Sequence, residues 1–221
     1  MQFIEFQNKL LAYNIFSLKD VLKILPAFNR IQLDRWGNKG YLKKIRRGFY
    51  CFSTQELSRN SLFCTANKIY TPSYVSLEMA LKYYGFIPEE IFQITSVSTK
   101  KSTEFGTKVG NFSYRHIKPT LFWGYKLMDF GKQKLLLADP EKAILDYLYV
   151  NSNLKTTSDF EGMRINGTEF SEQINLEKFQ KYLDAFGSRA LTKRAKVFLT
   201  TMQNDNTGSD FGGVSGKFTS F

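Results

Sequence analysis

Histidine and cysteine are scarce in this chain of 221 residues, which holds one His and two Cys. A structural zinc centre draws four ligands from those residue types, so none is expected here. Cys51 and Cys64 do not make a disulfide framework either. No apolar run approaches the roughly 20 residues that span a bilayer. The opening MQFIEFQNKL has an acid at position 5 and no long apolar stretch, so no secretory signal is expected and a cytoplasmic location is. Catalytic motifs are missing as well. The chain holds neither Gly-x-Ser-x-Gly nor a Gly-rich phosphate loop ending in Lys. A nucleotidyltransferase would follow Gly-Ser with Asp-x-Asp within about a dozen residues, whereas the next acid after Gly187-Ser188 is Asp205, too far on and with no second Asp two residues later. His116 falls in a strand pattern, NFSYRHI, where a structural role is expected. Glu78, Asp139, Glu141 and Asp146 fall on predicted helices and are expected as caps or on solvated faces. No catalytic residue, cofactor or metal is therefore assigned, and the chain is not expected to be an enzyme.

Acidic charge is also scarce near the N-terminus, and there the chain becomes informative. Its formal charge of +11 is uneven: residues 1–52 hold ten Lys/Arg against Glu5, Asp20 and Asp34. Between Asn29 and Tyr50, Asp34 alone opposes Arg30, Arg35, Lys39, Lys43, Lys44, Arg46 and Arg47. Positive charge concentrated in one short segment points to a polyanionic partner at that end.

The local pattern gives this segment a shape. Phe3, Phe6, Leu10 and Leu11 recur at helical spacing in residues 2–12. Ser17 can cap a helix over residues 18–25, which Pro26 stops. Asn29 can cap a third, running to about Asn38 or Lys39, with Leu33, Trp36 and Gly40 on its inner face. Arg30, Asp34, Arg35 and Asn38 lie roughly opposite, flanked by Lys39. Two short strands follow, residues 42–45 and 49–52, with Gly48 supplying the positive φ of a tight hairpin. Helix, turn, helix and basic hairpin in that order predict a winged helix-turn-helix.

In such a unit the second helix of the pair enters the major groove. Arg can grip guanine O6 and N7, and Asn adenine N6 and N7, each pair being worth about 1–3 kcal/mol of discrimination. The predicted base-reading and flanking residues are thus Arg30, Arg35, Asn38 and Lys39. Asp34 either accepts from cytosine or pairs with Arg30 or Arg35. Lys43, Lys44, Arg46 and Arg47 are expected to meet phosphates from the hairpin. Four to six such contacts would make log K fall with log salt at a slope of roughly −4 to −5.

Beyond the hairpin, residues 56–70 read as a connecting helix. Ser76 is a candidate cap for a helix over 77–84. Residues 91–138 look strand-rich, Asp139-Pro140 opens a helix, and 151–173 read as polar loop. Two helices, about 175–186 and 188–202, precede a Gly/Ser-rich tail at 204–221 that is expected to be disordered. The expected fold class is α+β: a winged helix-turn-helix at 1–55, then a mixed α/β domain at 71–203.

The segment LDRWGNKGYLKKIRRGFY resembles the N-terminal winged helix of AbiEi-family antitoxins of type IV toxin–antitoxin systems. The matching positions are Trp36, Lys39-Gly40, Leu42, Ile45, Arg47-Gly48 and Tyr50. TPSYVSLEMALKYYGFIPE at 71–89 and ADPEKAILDYLY at 138–149 are similar to later family segments, so the resemblance spans about residues 15–150. It implies repression of the protein's own operon through double-stranded operator DNA. It also implies that the C-terminal domain neutralises a nucleotidyltransferase-like toxin. The alternatives are an enzyme or nuclease that uses the winged helix to find DNA, and a winged helix that docks protein.

Overall fold

The Ser17 hydroxyl accepts from the Asp20 amide while the Asp20 carboxylate accepts from the Ser17 amide. This reciprocal capping box starts a helix in the computed structural model, which describes residues 1–207. The first elements are α1 (Phe3–Leu10), β1 (Phe16–Ser17), α2 (Leu18–Ile24), α3 (Ile31–Asn38), β2 (Leu42–Arg46) and β3 (Phe49–Phe52). Gly40 leaves α3 at φ 75° and Gly48 turns the hairpin at φ 83°, backbone conformations that glycine adopts without strain. The three strands form an antiparallel sheet ordered β1-β3-β2. The two-residue β1 was not expected, because nothing local marks a strand whose whole support is its pairing with Phe49 and Tyr50.

Phe6, Phe16, Leu33, Trp36, Leu42 and Phe52 fill the space between these helices and one face of that sheet. Trp36 and Phe6 meet at 4.7 Å between ring centres and Phe16 and Phe52 at 5.2 Å. Each buried aromatic contributes about 1.5–3 kcal/mol, which lets a unit this small hold a fixed shape. Leu11, expected on the inner stripe of the first helix, is exposed just beyond the end of α1.

The rest is built on a mixed six-stranded sheet ordered β6-β7-β5-β4-β9-β8. Its elements are α4 (Arg59–Ile69), β4 (Ser73–Val75), α5 (Glu78–Tyr83), β5 (Gln93–Ser98), β6 (Thr103–Thr107) and β7 (Gly110–His116). A 3₁₀ turn precedes β8 (Tyr125–Phe130) and β9 (Gln133–Ala138), and then come α6 (Pro140–Val150), α7 (Thr157–Glu161), α8 (Gly167–Gln173), α9 (Leu176–Phe186) and α10 (Arg189–Thr207). Strands β5 and β7 run parallel, as do β4 and β9. The mixed α+β class is as expected. The tail expected at 204–221 lies outside the described residues from 208 onward.

Alternation along the strands separates two faces. Tyr114 donates to the Ala66 carbonyl at 2.8 Å, which places α4 on one face. Thr95, out of phase with Tyr114 in the β5–β7 register, accepts from the Met79 amide at 2.9 Å and so places α5 on the other.

Three expectations are corrected here. Ser76 does not cap α5: its hydroxyl donates to Asp146, and Thr95 takes the capping role. Residues 151–173 are not loop throughout. They contain α7 and α8, started by a Thr156–Asp159 capping box and by the Asn166 side chain. Glu141 and Asp146 do not lie on solvated faces; both are buried, because α6 is covered by its neighbours on nearly every side. Asp139 holds the expected N-cap position ahead of Pro140 but is itself buried and makes no side-chain capping hydrogen bond.

Candidate nucleic-acid interface

Leu33 and Trp36 anchor α3 in the small core, which turns its opposite face outward. Arg30 at the N-cap and Arg35, Asn38 and Lys39 are all exposed. Asn29, expected as the cap, lies one residue before the N-cap Arg30, and its side chain accepts from the Ile31 amide at 3.0 Å. Asp34 forms an ion pair with neither Arg30 nor Arg35. Among the described residues, Arg30, Arg35, Lys39, Lys43, Lys44 and Arg47 have no carboxylate partner. Among the described residues of the larger part, Lys68, Lys82 and Lys178 are neutralised by carboxylates, whereas others such as Lys100, Lys101 and Lys118 are not. The unneutralised charge of the small unit therefore belongs to its outer surface.

On the hairpin, Lys43 pairs across with Cys51 and Lys44 with Tyr50, so the two lysines point to opposite faces. Lys44 is exposed and Lys43 half-buried. The register slips between Lys44 and Arg46, a bulge that turns the following residues. Arg47 is exposed at the tip.

Arg46 departs from expectation. Its guanidinium donates to the Ile69 carbonyl at 2.6 Å and its Cζ lies 3.8 Å from the centre of the Phe105 ring and 5.5 Å from that of Tyr70. The bulge turns it back against α4 and β6. There it anchors the hairpin instead of reaching outward.

This anchor belongs to a longer seam. In β3, Tyr50 and Phe52 face the small core, while Phe49 and Cys51 pack on the large one together with Ile15 and Ile45. Both faces of the strand are covered. Asn14 donates to the Ser61 hydroxyl and accepts from Gln55, each at 2.8 Å. The Ile15 carbonyl accepts from Lys68 and from Gln133. Lys68 and Asp20 pair at 2.8 Å. Burial pushes the Asp20 carboxyl up, but the hydrogen bonds from Lys68 and Ser17 outweigh it and hold the group below its ordinary value. The helix expected to connect the two parts is thus itself a wall of the larger core, with Phe63, Cys64, Ala66 and Ile69 buried in it.

A second polar constellation lies inside the large core. Lys142 and Asp146, one turn apart on α6, form a fully buried ion pair. Asp146 also accepts from the Tyr74 and Ser76 hydroxyls, each at 2.9 Å, and Lys142 donates to the Tyr74 oxygen at 2.9 Å. The Trp123 and Phe186 rings cover the ammonium at 4.9 and 4.7 Å. Burial pushes Asp146 up and Lys142 down, against their mutual attraction. Nearby, Lys178 bridges Asp139 and Glu141 at 3.1 and 3.0 Å. The 0 % exposure of Lys142 and Asp146 gives a substrate no approach, so this cluster acts as a structural clamp between α6, β4 and the Trp123 loop. The i,i+4 spacing of Lys142 and Asp146 was visible in the sequence; their burial was not.

His116 is exposed at the end of β7, with Nδ1 3.1 Å from the Lys100 carbonyl oxygen. Among the described residues no group of three His, Cys, Asp or Glu is arranged to hold a metal ion, and no helix is long and apolar enough to cross a membrane. No protein-family model and no curated protein matches this chain.

Proposed function

We propose that residues 1–55 form a winged helix-turn-helix that binds double-stranded DNA, and that the chain is the autorepressor and antitoxin of a type IV toxin–antitoxin system. The observation that carries the DNA half is the joint exposure of unpaired Arg30, Arg35, Lys39, Lys44 and Arg47 on α3 and the adjoining hairpin. Unpaired cations on a helix of groove-compatible size and on a neighbouring β-ribbon suit a duplex, whose phosphates release counterions when neutralised. In this reading Arg35 and Asn38 read base edges, Arg30 and Lys39 flank them, and Lys44 and Arg47, with Lys43 beside them, meet the backbone. Arg46 orients the hairpin from behind. Countering a nucleotidyltransferase-like toxin is assigned to the larger part and is supported by the resemblance of residues 71–89 and 138–149 to the antitoxin family.

The test is a binding titration against the DNA immediately upstream of the gene, with scrambled duplex as control, at two salt concentrations. Tight, sequence-preferring and salt-sensitive binding that Arg35→Ala/Arg47→Ala abolishes is the expected result. Equal weak binding to both duplexes would overturn the autorepressor reading. For the antitoxin half, co-expression should restore growth to cells producing the neighbouring nucleotidyltransferase-like protein, and continued growth arrest would sink that assignment.

A further inference from the structure

The loop joining β5 to β6, residues 99–102, has the sequence Thr-Lys-Lys-Ser and lies beside the basic hairpin although it belongs to the larger part. Its position is fixed by four contacts. The Tyr70 hydroxyl donates to the Lys101 carbonyl at 2.7 Å. The Ser98 hydroxyl accepts from the Lys100 amide at 3.1 Å, and the Ser102 hydroxyl accepts from the His116 amide at 2.9 Å. The His116 ring rests against the Lys100 carbonyl. The backbone is pinned while the Lys100 and Lys101 side chains remain exposed.

Tyr70 ties this loop to the hairpin. The Lys100 ammonium and the Arg46 guanidinium each lie 5.5 Å from the centre of its ring, so the two charges are within twice that distance of each other. Phe105 sits on the same side, under Arg46. Alternation on β6 sends the neighbouring acid, Glu104, to the opposite side of the sheet, where it lines a cleft of about 340 Å³ with Glu78, Glu90 and Arg115. The same alternation on β7 puts His116 on the hairpin side with Tyr114. Arg46 of the hairpin and Lys100 of the loop thus meet at the Tyr70 ring, and Glu104, the acid nearest to the loop in sequence, faces the other side of the sheet.

We propose that this loop is a second DNA-contact element in which Lys100 and Lys101 bind backbone phosphates flanking those met by Arg47. It rests on the DNA-binding reading above. A duplex presents a phosphate about every 3.4 Å of axis on each strand, so a rigid cationic loop beside the hairpin meets further phosphates without any bend in the DNA. The contact is with the backbone alone and adds affinity and salt dependence but no sequence preference.

The experiment is a salt series of binding to a mixed-sequence duplex of about 30 base pairs. It compares wild type, Lys100→Ala/Lys101→Ala, Lys100→Met/Lys101→Met, Lys100→Arg/Lys101→Arg and Arg47→Ala. The Met pair keeps the aliphatic stem over Tyr70, so a loss shared by the Ala and Met pairs reports charge and not packing. Loss of two phosphate contacts lowers the slope of log K against log salt by about 1.8 and weakens binding roughly 10- to 60-fold near 0.1 M salt. The Arg pair should keep the wild-type slope. A wild-type slope in the Ala and Met pairs, with a reduced slope in Arg47→Ala, would overturn the loop proposal and leave DNA binding by the small unit standing. Absence of salt-dependent binding by the wild type would overturn both.

Discussion

The Arg46 guanidinium carbon lies 3.8 Å from the centre of the Phe105 ring while one of its nitrogens donates to the Ile69 carbonyl. A residue of the hairpin is in this way held by β6 and by the end of α4. Replacing Arg46 with Ala removes a charge-assisted hydrogen bond and a cation–π contact together, which should lower unfolding stability by about 1–3 kcal/mol. Arg46→Lys should restore part of that loss. Urea titration of the three proteins measures it, and an unchanged midpoint for Arg46→Ala would show that the anchor contributes nothing.

The Asp20–Lys68 pair predicts a specific acid sensitivity. The folded-state pKa of Asp20 is depressed, so its contribution is complete above the ordinary carboxylate value and fades as pH falls through the lowered one. Wild type should lose stability faster than Asp20→Asn from about pH 4 downward, and the two curves should converge in strong acid. Parallel curves across that range would contradict the assignment.

Inside the large core, truncating one member of the Lys142–Asp146 pair leaves a buried charge unmatched. Lys142→Met and Asp146→Asn should each cost about 3–5 kcal/mol. The double variant should cost clearly less than the sum, since it buries no lone charge. A double-mutant cycle from denaturant unfolding gives the coupling, and strict additivity would show that the two do not act as a pair.

Both thiols should be inert in the native protein. Cys51 and Cys64 are buried, and burial pushes both up, Cys64 to about 11. An alkylating reagent at neutral pH should modify neither until denaturant is added, because the reactive species is the thiolate. Rapid native labelling of either would require the seam around it to open.

What the sequence made legible was mostly local chemistry. Ser17, Pro26, Gly40 and Gly48 each impose their conformation within a few residues, and the helices and hairpin they bound are where their positions predict. The Thr156/Asp159 and Asn166/Glu169 spacings were equally readable as helix starts, yet the polarity of 151–173 hid them. Elements whose support is remote stayed invisible. Strand β1 exists through Phe49 and Tyr50, and the inward turn of Arg46 depends on Phe105 and Ile69, which no short window of sequence brings together. The burial of Asp146 followed the same logic: its hydroxyl donors are Tyr74 in β4 and Ser76 just after it.

Strand β3 is a party wall, with Phe49 and Cys51 serving the large core and Tyr50 and Phe52 the small one. The consequence concerns modularity. A fragment cut after residue 55 would carry away Ile15, Ile45 and Cys51 with nothing to cover them, so this unit cannot be transplanted intact onto another protein. Substitutions that re-tune its outward surface are confined to positions such as Arg35, Asn38 and Arg47, where neither core has a claim.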